Sequence, residues 1–232
     1  MDNDQPPMSG FLLLNKPAGL TSHDVVNRIR AWSKERRVGH AGTLDPFATG
    51  LLIVGVGREA TREFPKLVGL DKTYEATFVL GASSDTDDVT GNIRPSMIGI
   101  TPSTEQVTEA LQQFIGEIVQ VPPAYSAVKI GGKKLYEAAR AGKPIEAKPR
   151  NVRIYDITDI VMDDRAMTLS CTIHCSSGTY IRAIARDLGR ALGTGGYVQT
   201  LHRTTIGPFT MEESTPSSDP RLIPINTLLS RL

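Results

Sequence analysis

The stretch MTLSCTIHCSSGTYIRAIARDLG, residues 167–189, changes its hydrophobic period halfway along. Met167, Leu169, Cys171, Ile173 and Cys175 alternate with polar residues, which predicts a strand with one buried face. After SSGTY, residues Ile181, Ile184, Leu188 and Leu192 keep helical spacing until Gly193, where the helix should stop. A strand followed directly by a helix, with Arg182 at the junction, is the unit from which the rest of the fold is read.

Outward from it, TYEATFVLG (73–81) places Tyr74, Ala76, Phe78 and Leu80 on one face of a second half-buried strand. LLIVGVG (51–57) is a nearly continuous apolar run, the pattern of a strand buried on both faces. Phe11 to Leu14 predicts a strand ending at Lys16-Pro17. Thr21 or Ser22 then caps a helix whose buried stripe is Val25, Val26, Ile29 and Trp32. A helix is expected over 60–68 with Phe64 and Leu67 inward. Another opens at the capping box Ser103-x-x-Gln106 and carries Val107, Leu111, Phe114 and Ile115. Over 120–150 the segments PPAY, IGGKK and AGKP break any long period, predicting an extended basic excursion around a short helix at 135–141. Strands and helices mix without βαβ regularity, so the expected fold class is α+β with a mainly antiparallel sheet.

The 232 residues, 40% of them hydrophobic, suffice for one sizeable core, and a single domain is the first expectation. No run of about 18 apolar residues occurs that could span a membrane as a helix. The start MDNDQPPMSG is polar and acidic where a secretory signal has a basic start and an apolar stretch, so a cytoplasmic protein is expected. Cys171 and Cys175 share the core-facing side of their strand while His174 points the other way, which leaves a zinc site short of ligands.

Net charge is only +1, but its distribution is uneven. Residues 28–40 carry Arg28, Arg30, Lys34, Arg36 and Arg37 against Glu35. Residues 129–153 carry Lys129, Lys133, Lys134, Arg140, Lys143, Lys148, Arg150 and Arg153 against Glu137 and Glu146, with Tyr136 between them. Either could be a solvated face. Two such stretches in a small, nearly neutral chain point toward a polyanion, RNA or DNA.

Several chemistries fall away. SSDTDDVTG has Val89 and Thr90 where a calcium loop needs a ligand and a glycine, so it reads as a polar turn. Gly55-x-Gly57 lacks the spacing of a nucleotide cradle, and no GxSxG elbow is present. What remains is GHAGTLDPFATG, residues 39–50, a loop with one carboxylate, Asp45. Gly39 and Gly42 let its backbone approach another surface, and Pro46 biases Asp45 toward extended geometry. Asp45 is then either a turn residue bonding its own backbone or a presented functional carboxylate. A functional carboxylate needs a cation to keep it ionised, and Arg182 of GTYIR is a candidate.

GHAGTLDPFATG together with LLLNKPAGLTSHDVV, DKTYEA, PPAYSAVKIGGKKLYEAARAG, SSGTYIRAIARDLG and LHR, in that order, resembles the TruB family of tRNA pseudouridine synthases, over residues 10–203. The resemblance implies a pseudouridine synthase fold, a long bent antiparallel sheet with flanking helices and a thumb-like RNA-binding insertion at 120–150. It implies no cofactor, no metal and a tRNA substrate bound through its T arm by a monomer. It makes Asp45 the catalytic aspartate of uridine isomerisation, in which the N1–C1′ bond breaks and C5 joins C1′. Attack on C1′, addition to the base and removal of a sugar proton all need an ionised carboxylate beside the ribose, and all stay open.

By the same resemblance Arg182 pairs with Asp45, and Tyr74 stacks on the target base. His40 fills the place of the flipped nucleotide, Tyr180 and Leu201 line the base pocket, and Asp88 lies near the cleft. Lys133 and Lys134 fall in the thumb and meet phosphates. Ser177 stands where the family often has lysine. Longer members continue past LIPIN (222–226) into a small RNA-binding PUA domain. The chain here ends at Leu232, so one catalytic domain with a short tail over 212–232 is expected. A tRNA-folding protein with incidental catalysis is the alternative reading, and a glycosidase is disfavoured because the loop offers one carboxylate where two are needed.

Overall fold

Thr21 starts the first helix because its hydroxyl accepts the Asp24 N–H while the Asp24 carboxylate accepts the Thr21 N–H, a reciprocal cap at α1 (Ser22–Ser33). The computed structural model describes residues 8–96, 99, 101–126, 129, 130, 133–135, 145 and 147–232. The chain divides into two compact units, Met1–Tyr74 with His202–Leu232, and Glu75–Leu201. No helix among the described residues is long and apolar enough to cross a membrane.

In the first unit β1 (Gly10–Lys16) runs antiparallel to β3 (Thr49–Val56), from Gly10 opposite Val56 to Lys16 opposite Gly50. The short β2 (Val38–His40) also pairs antiparallel with β3. Both faces of this ladder are covered, which explains the continuous apolar sequence of β3. Phe11, Leu13, Leu51 and Ile53 pack with Leu67, Phe209 and Leu228 on one side. Leu12, Leu14, Leu52 and Val54 pack with Val25, Val26 and Ile29 of α1 on the other.

Trp32 does not join that stripe and is 40% exposed. Helical spacing places Trp32 near the Val25 line, but it stands in the last turn of α1, and Val38 of β2 completes the cluster instead. The helix expected over 60–68 is two, α2 (Gly57–Arg62) and α3 (Phe64–Val68). Pro65 has no N–H to continue a helix and sits in the first turn of the second.

The second unit holds β4 (Lys72–Leu80, beginning in the first unit), β5 (Ala82–Ser84), β6 (Ile93–Pro95), α4 (Thr104–Gln112), β7 (Gly116–Gln120), β8 (Lys129–Ile130), β9 (Lys133–Lys134), β10 (Arg150–Asp163), β11 (Thr168–Cys175) and α5 (Ile181–Ala191). Its main strands follow the order β4-β11-β10-β7, and the β11–β10 and β10–β7 pairs are antiparallel. Ala76, Phe78, Leu80, Leu169, Cys171, Ile173, Ile181, Ile184 and Leu188 are buried, as the two periods predict. His174 points outward and stacks on Tyr155.

Met167 falls outside β11, in a left-handed turn conformation at φ 52°, so the alternating face begins at Leu169. Leu192 is the half-buried cap residue after α5 rather than part of its stripe. Phe114 and Ile115 lie beyond the end of α4, and Ile115 is exposed as the chain turns at Gly116 into β7. Of the expected helix at 135–141 only Leu135 is described; Tyr136, Glu137, Arg140, Lys143 and Glu146 lie outside the described residues.

From β12 (Gly196–Ile206) the chain returns to the first unit, where β12 runs parallel to β3 with Arg203 opposite Gly50. It ends through β13 (Phe209–Thr210), β14 (Thr215–Pro216), which pairs parallel with β1, and α6 (Ile225–Leu229). The fold class is α+β, with antiparallel pairing dominant as expected.

Candidate active site

Asp45 lies half-buried in the connection between β2 and β3, and the backbone on either side of it is held from outside the loop. The Ser22 hydroxyl donates to the Leu44 carbonyl at 3.1 Å and accepts the Leu44 N–H at 2.9 Å. The Pro46 carbonyl accepts the Gly19 N–H at 2.8 Å and the Lys16 ammonium at 3.3 Å. Lys16 also donates to the carbonyls of Pro17 and Leu20, so all three of its N–H groups point at carbonyl oxygens. Asp45 itself accepts the Ala48 N–H on its carbonyl at 3.2 Å, which closes the turn behind Pro46.

Lys16 is fully buried, and desolvation pulls its ammonium down to about 8 although Asp45 favours the charged form. Arg203, on β12, is 1% exposed. Its guanidinium donates to the carbonyls of Leu51 at 2.8 Å, Gly42 at 3.2 Å and Thr43 at 3.4 Å. Beside it, His202 Nδ1 and the Thr49 hydroxyl are 2.7 Å apart. His40 ends β2 with its Nδ1 buried and no hydrogen-bond partner among the described residues. Burial, reinforced by Arg203 and His23, holds its imidazole below the ordinary histidine range. Tyr74, the last residue of this unit's first segment, is buried on β4.

In the second unit Arg182 occupies the first turn of α5, just after the Ser176–Thr179 turn. Its guanidinium lies 3.2 Å from the Asp88 carboxylate and donates to the carbonyls of Thr86 at 2.9 Å and Tyr125 at 3.1 Å. Both side chains of the pair are almost completely buried. The other Asp88 oxygen accepts the Thr90 N–H at 2.9 Å and the hydroxyls of Thr86 and Thr90. SSDTDDVTG is therefore a polar turn, as read, and its buried carboxylate faces Arg182. One helical turn on, Arg186 bridges Asp87, Asp187 and the Val121 carbonyl. Burial raises the Asp87 carboxyl despite Arg186 beside it.

Tyr180 is fixed at the start of α5 by Gln120, whose amide bonds both its N–H and its carbonyl. The Arg150 guanidinium sits 5.1 Å from the Tyr180 ring centre. Leu201 is buried on β12. Lys133 and Lys134 form β9, which pairs with β8. Thus Arg182 and Asp88 are brought together within one unit, while in the other His40 opens the loop that carries Asp45. Lys16 and Arg203 were given no role in the site by the sequence, and Ser22 only that of a possible helix cap, which falls to Thr21. The readable signals were a lysine closing an apolar strand and an arginine two residues after Leu201, on the inward side of an alternating strand.

Residues 30–181 match the family model described as TruB family pseudouridylate synthase (N terminal domain), and residues 182–219 match tRNA pseudouridylate synthase B C-terminal domain. A protein named tRNA pseudouridine synthase B from Corynebacterium efficiens is 47% identical over 219 residues, covering 94% of this chain and 73% of that one. One of the same name from Mycobacterium sp. (strain KMS) is 45% identical over 223 residues, covering 92% and 73%. The crystal structure of a Cbf5-Nop10-Gar1 complex contains a chain that superposes with a TM-score of 0.66 at 30% identity, over 87% of this chain and 50% of that one. This chain thus spans half the length of that solved chain and nearly three quarters of the two relatives. With matches covering most of its length, the chain belongs to the TruB family of pseudouridylate synthases.

Proposed function

We propose that this protein isomerises the T-loop uridine of tRNA to pseudouridine, acting as a cytoplasmic monomer on the T arm. The observation that carries the proposal is the Asp45 loop, a lone carboxylate whose neighbouring backbone is fixed at Gly42, Thr43, Leu44 and Pro46. An isomerisation adds and removes no group, so one ionised carboxylate held at the ribose supplies the chemistry. Asp45 is the catalytic carboxylate and Arg182 the cation that keeps it charged; Asp88 aims Arg182. Tyr74, Tyr180 and Leu201 enclose the base, His40 takes its place in the RNA stack, and Lys133 and Lys134 meet phosphates. The names of the relatives, each a tRNA pseudouridine synthase B, support the choice of tRNA.

The test is release of tritium from C5-labelled uridine in a T-arm stem-loop and in a full tRNA transcript. Release to water at unchanged RNA mass is expected from both. Tight binding of tRNA with no release would favour the tRNA-folding reading.

A further inference from the structure

We infer that Arg203 is a positioning residue for this reaction, a buried guanidinium that clamps the two ends of the Asp45 loop against β12. The inference rests on the proposed role of Asp45. Arg203 is delivered by the parallel pairing of β12 with β3, which sets it opposite Gly50. The two backbones meet so closely there that a Cβ on Gly50 would lie 2.4 Å from the Arg203 carbonyl oxygen. Gly50 also has φ 106°, so this crossing accepts only glycine. From that anchor the side chain turns under the loop. Its Nε–H donates to Leu51 at the start of β3, and its two terminal nitrogens donate to Gly42 and Thr43, before Asp45.

The fork geometry matters because three carbonyls from both ends of the loop must be met from one point. A guanidinium presents five donors in a plane, whereas an ammonium is a compact point charge that cannot span them. Gly42 has φ 102°, a backbone conformation that favours glycine at the point where its carbonyl meets Arg203. The loop makes few backbone bonds of its own, so the bonds from Arg203 are what tie its first half to β12. The charge has a second effect, because Arg203 is the strongest charged influence on His40, ahead of His23, and both disfavour the imidazolium. A neutral His40 carries less desolvation cost when it enters a base stack.

The test compares wild type with Arg203→Lys and Arg203→Met, each checked by circular dichroism and assayed well below its melting temperature. A displacement of about 1 Å at the reacting group costs roughly 100-fold in rate. Arg203→Lys keeps the charge and loses the fork, so kcat should fall about 100-fold with KM for the T-arm RNA and the acid limb of the pH profile unchanged. Arg203→Met should lose as much rate, and His40, followed by NMR of its imidazole, should titrate nearer the ordinary histidine value. If Arg203→Met does not fold, Arg203→Lys decides alone. A Lys variant with wild-type kcat, or with its loss confined to KM, overturns the inference. Should wild type release no tritium, the functional reading fails separately. Amide exchange over residues 42–51 in Arg203→Lys then decides the clamp: tenfold faster exchange supports it and unchanged protection overturns it.

Discussion

Asp88→Asn removes one charge from a nearly dry ion pair and leaves the side chain's shape intact. The remaining amide oxygen can still accept from Thr86 and Thr90, but the new NH2 faces Arg182, a donor against a donor. Removing one partner from a buried pair costs about 3–5 kcal/mol because the other charge stays buried. Arg182 retains the carbonyls of Thr86 and Tyr125, so the loss should sit at the lower end, about 3 kcal/mol. For a chain of this size about 2–4 °C of melting temperature accompanies each kcal/mol, giving a fall of about 6–12 °C. Thermal unfolding at neutral pH, followed by circular dichroism, reads this directly. Asp88→Ala should fall further, since it also orphans the Thr90 N–H and two hydroxyls. A melting temperature for Asp88→Asn within about 2 °C of wild type would mean that the pair contributes little to stability and that Arg182 is held without it.

Lys16 titrates near 8 in the folded chain against 10.5 when free, so between those values the unfolded chain binds the extra proton. Its buried charge weighs against folding below about pH 8, and wild type should gain melting temperature relative to Lys16→Met as pH rises from 8 toward 10.5; parallel curves would refute this. Lys133→Ala with Lys134→Ala should flatten the log–log salt dependence of RNA binding by about 1.4–1.8, from two lost phosphate contacts, and an unchanged slope would place the RNA surface elsewhere. Asp45→Asn should lower kcat by roughly three orders of magnitude or more while RNA affinity, measured by filter binding, scarcely changes. Near-normal tritium release from a folded Asp45→Asn protein would return Asp45 to the role of a turn residue.

Elements whose identity depends on near neighbours were legible in the sequence. The period of 167–189 located β11 and α5, the apolar run of 51–57 located β3, and Ser103-x-x-Gln106 located the start of α4. Trp32 was misplaced because an apolar residue three positions along a stripe looks inward on a pattern, while its exposure is decided by packing partners from elsewhere in the chain, here Val38 taking the place in the cluster. The loop of Asp45 could be singled out by elimination, since it holds a lone carboxylate among residues without chemistry. What clamps that loop could not be read. Arg203 reaches Gly42 across 161 positions, and Arg182 reaches Thr86 across 96, so tertiary structure alone pairs them.

The buried cations share a physical reason for being where they are. A loop built on glycine and proline makes few backbone bonds of its own, so when it is buried its unmet groups include carbonyl oxygens. Carboxylates cannot serve them, because an ionised carboxylate only accepts, whereas ammonium and guanidinium groups only donate. Lys16, Lys72, Arg182 and Arg203 are buried, each donating to at least one carbonyl of an irregular segment, while Asp88 is the one carboxylate among the described residues buried to that degree. The near-zero net charge therefore understates how the bases are divided. Some cations are consumed inside, holding loops in place, and Lys and Arg left at the surface remain to meet phosphates.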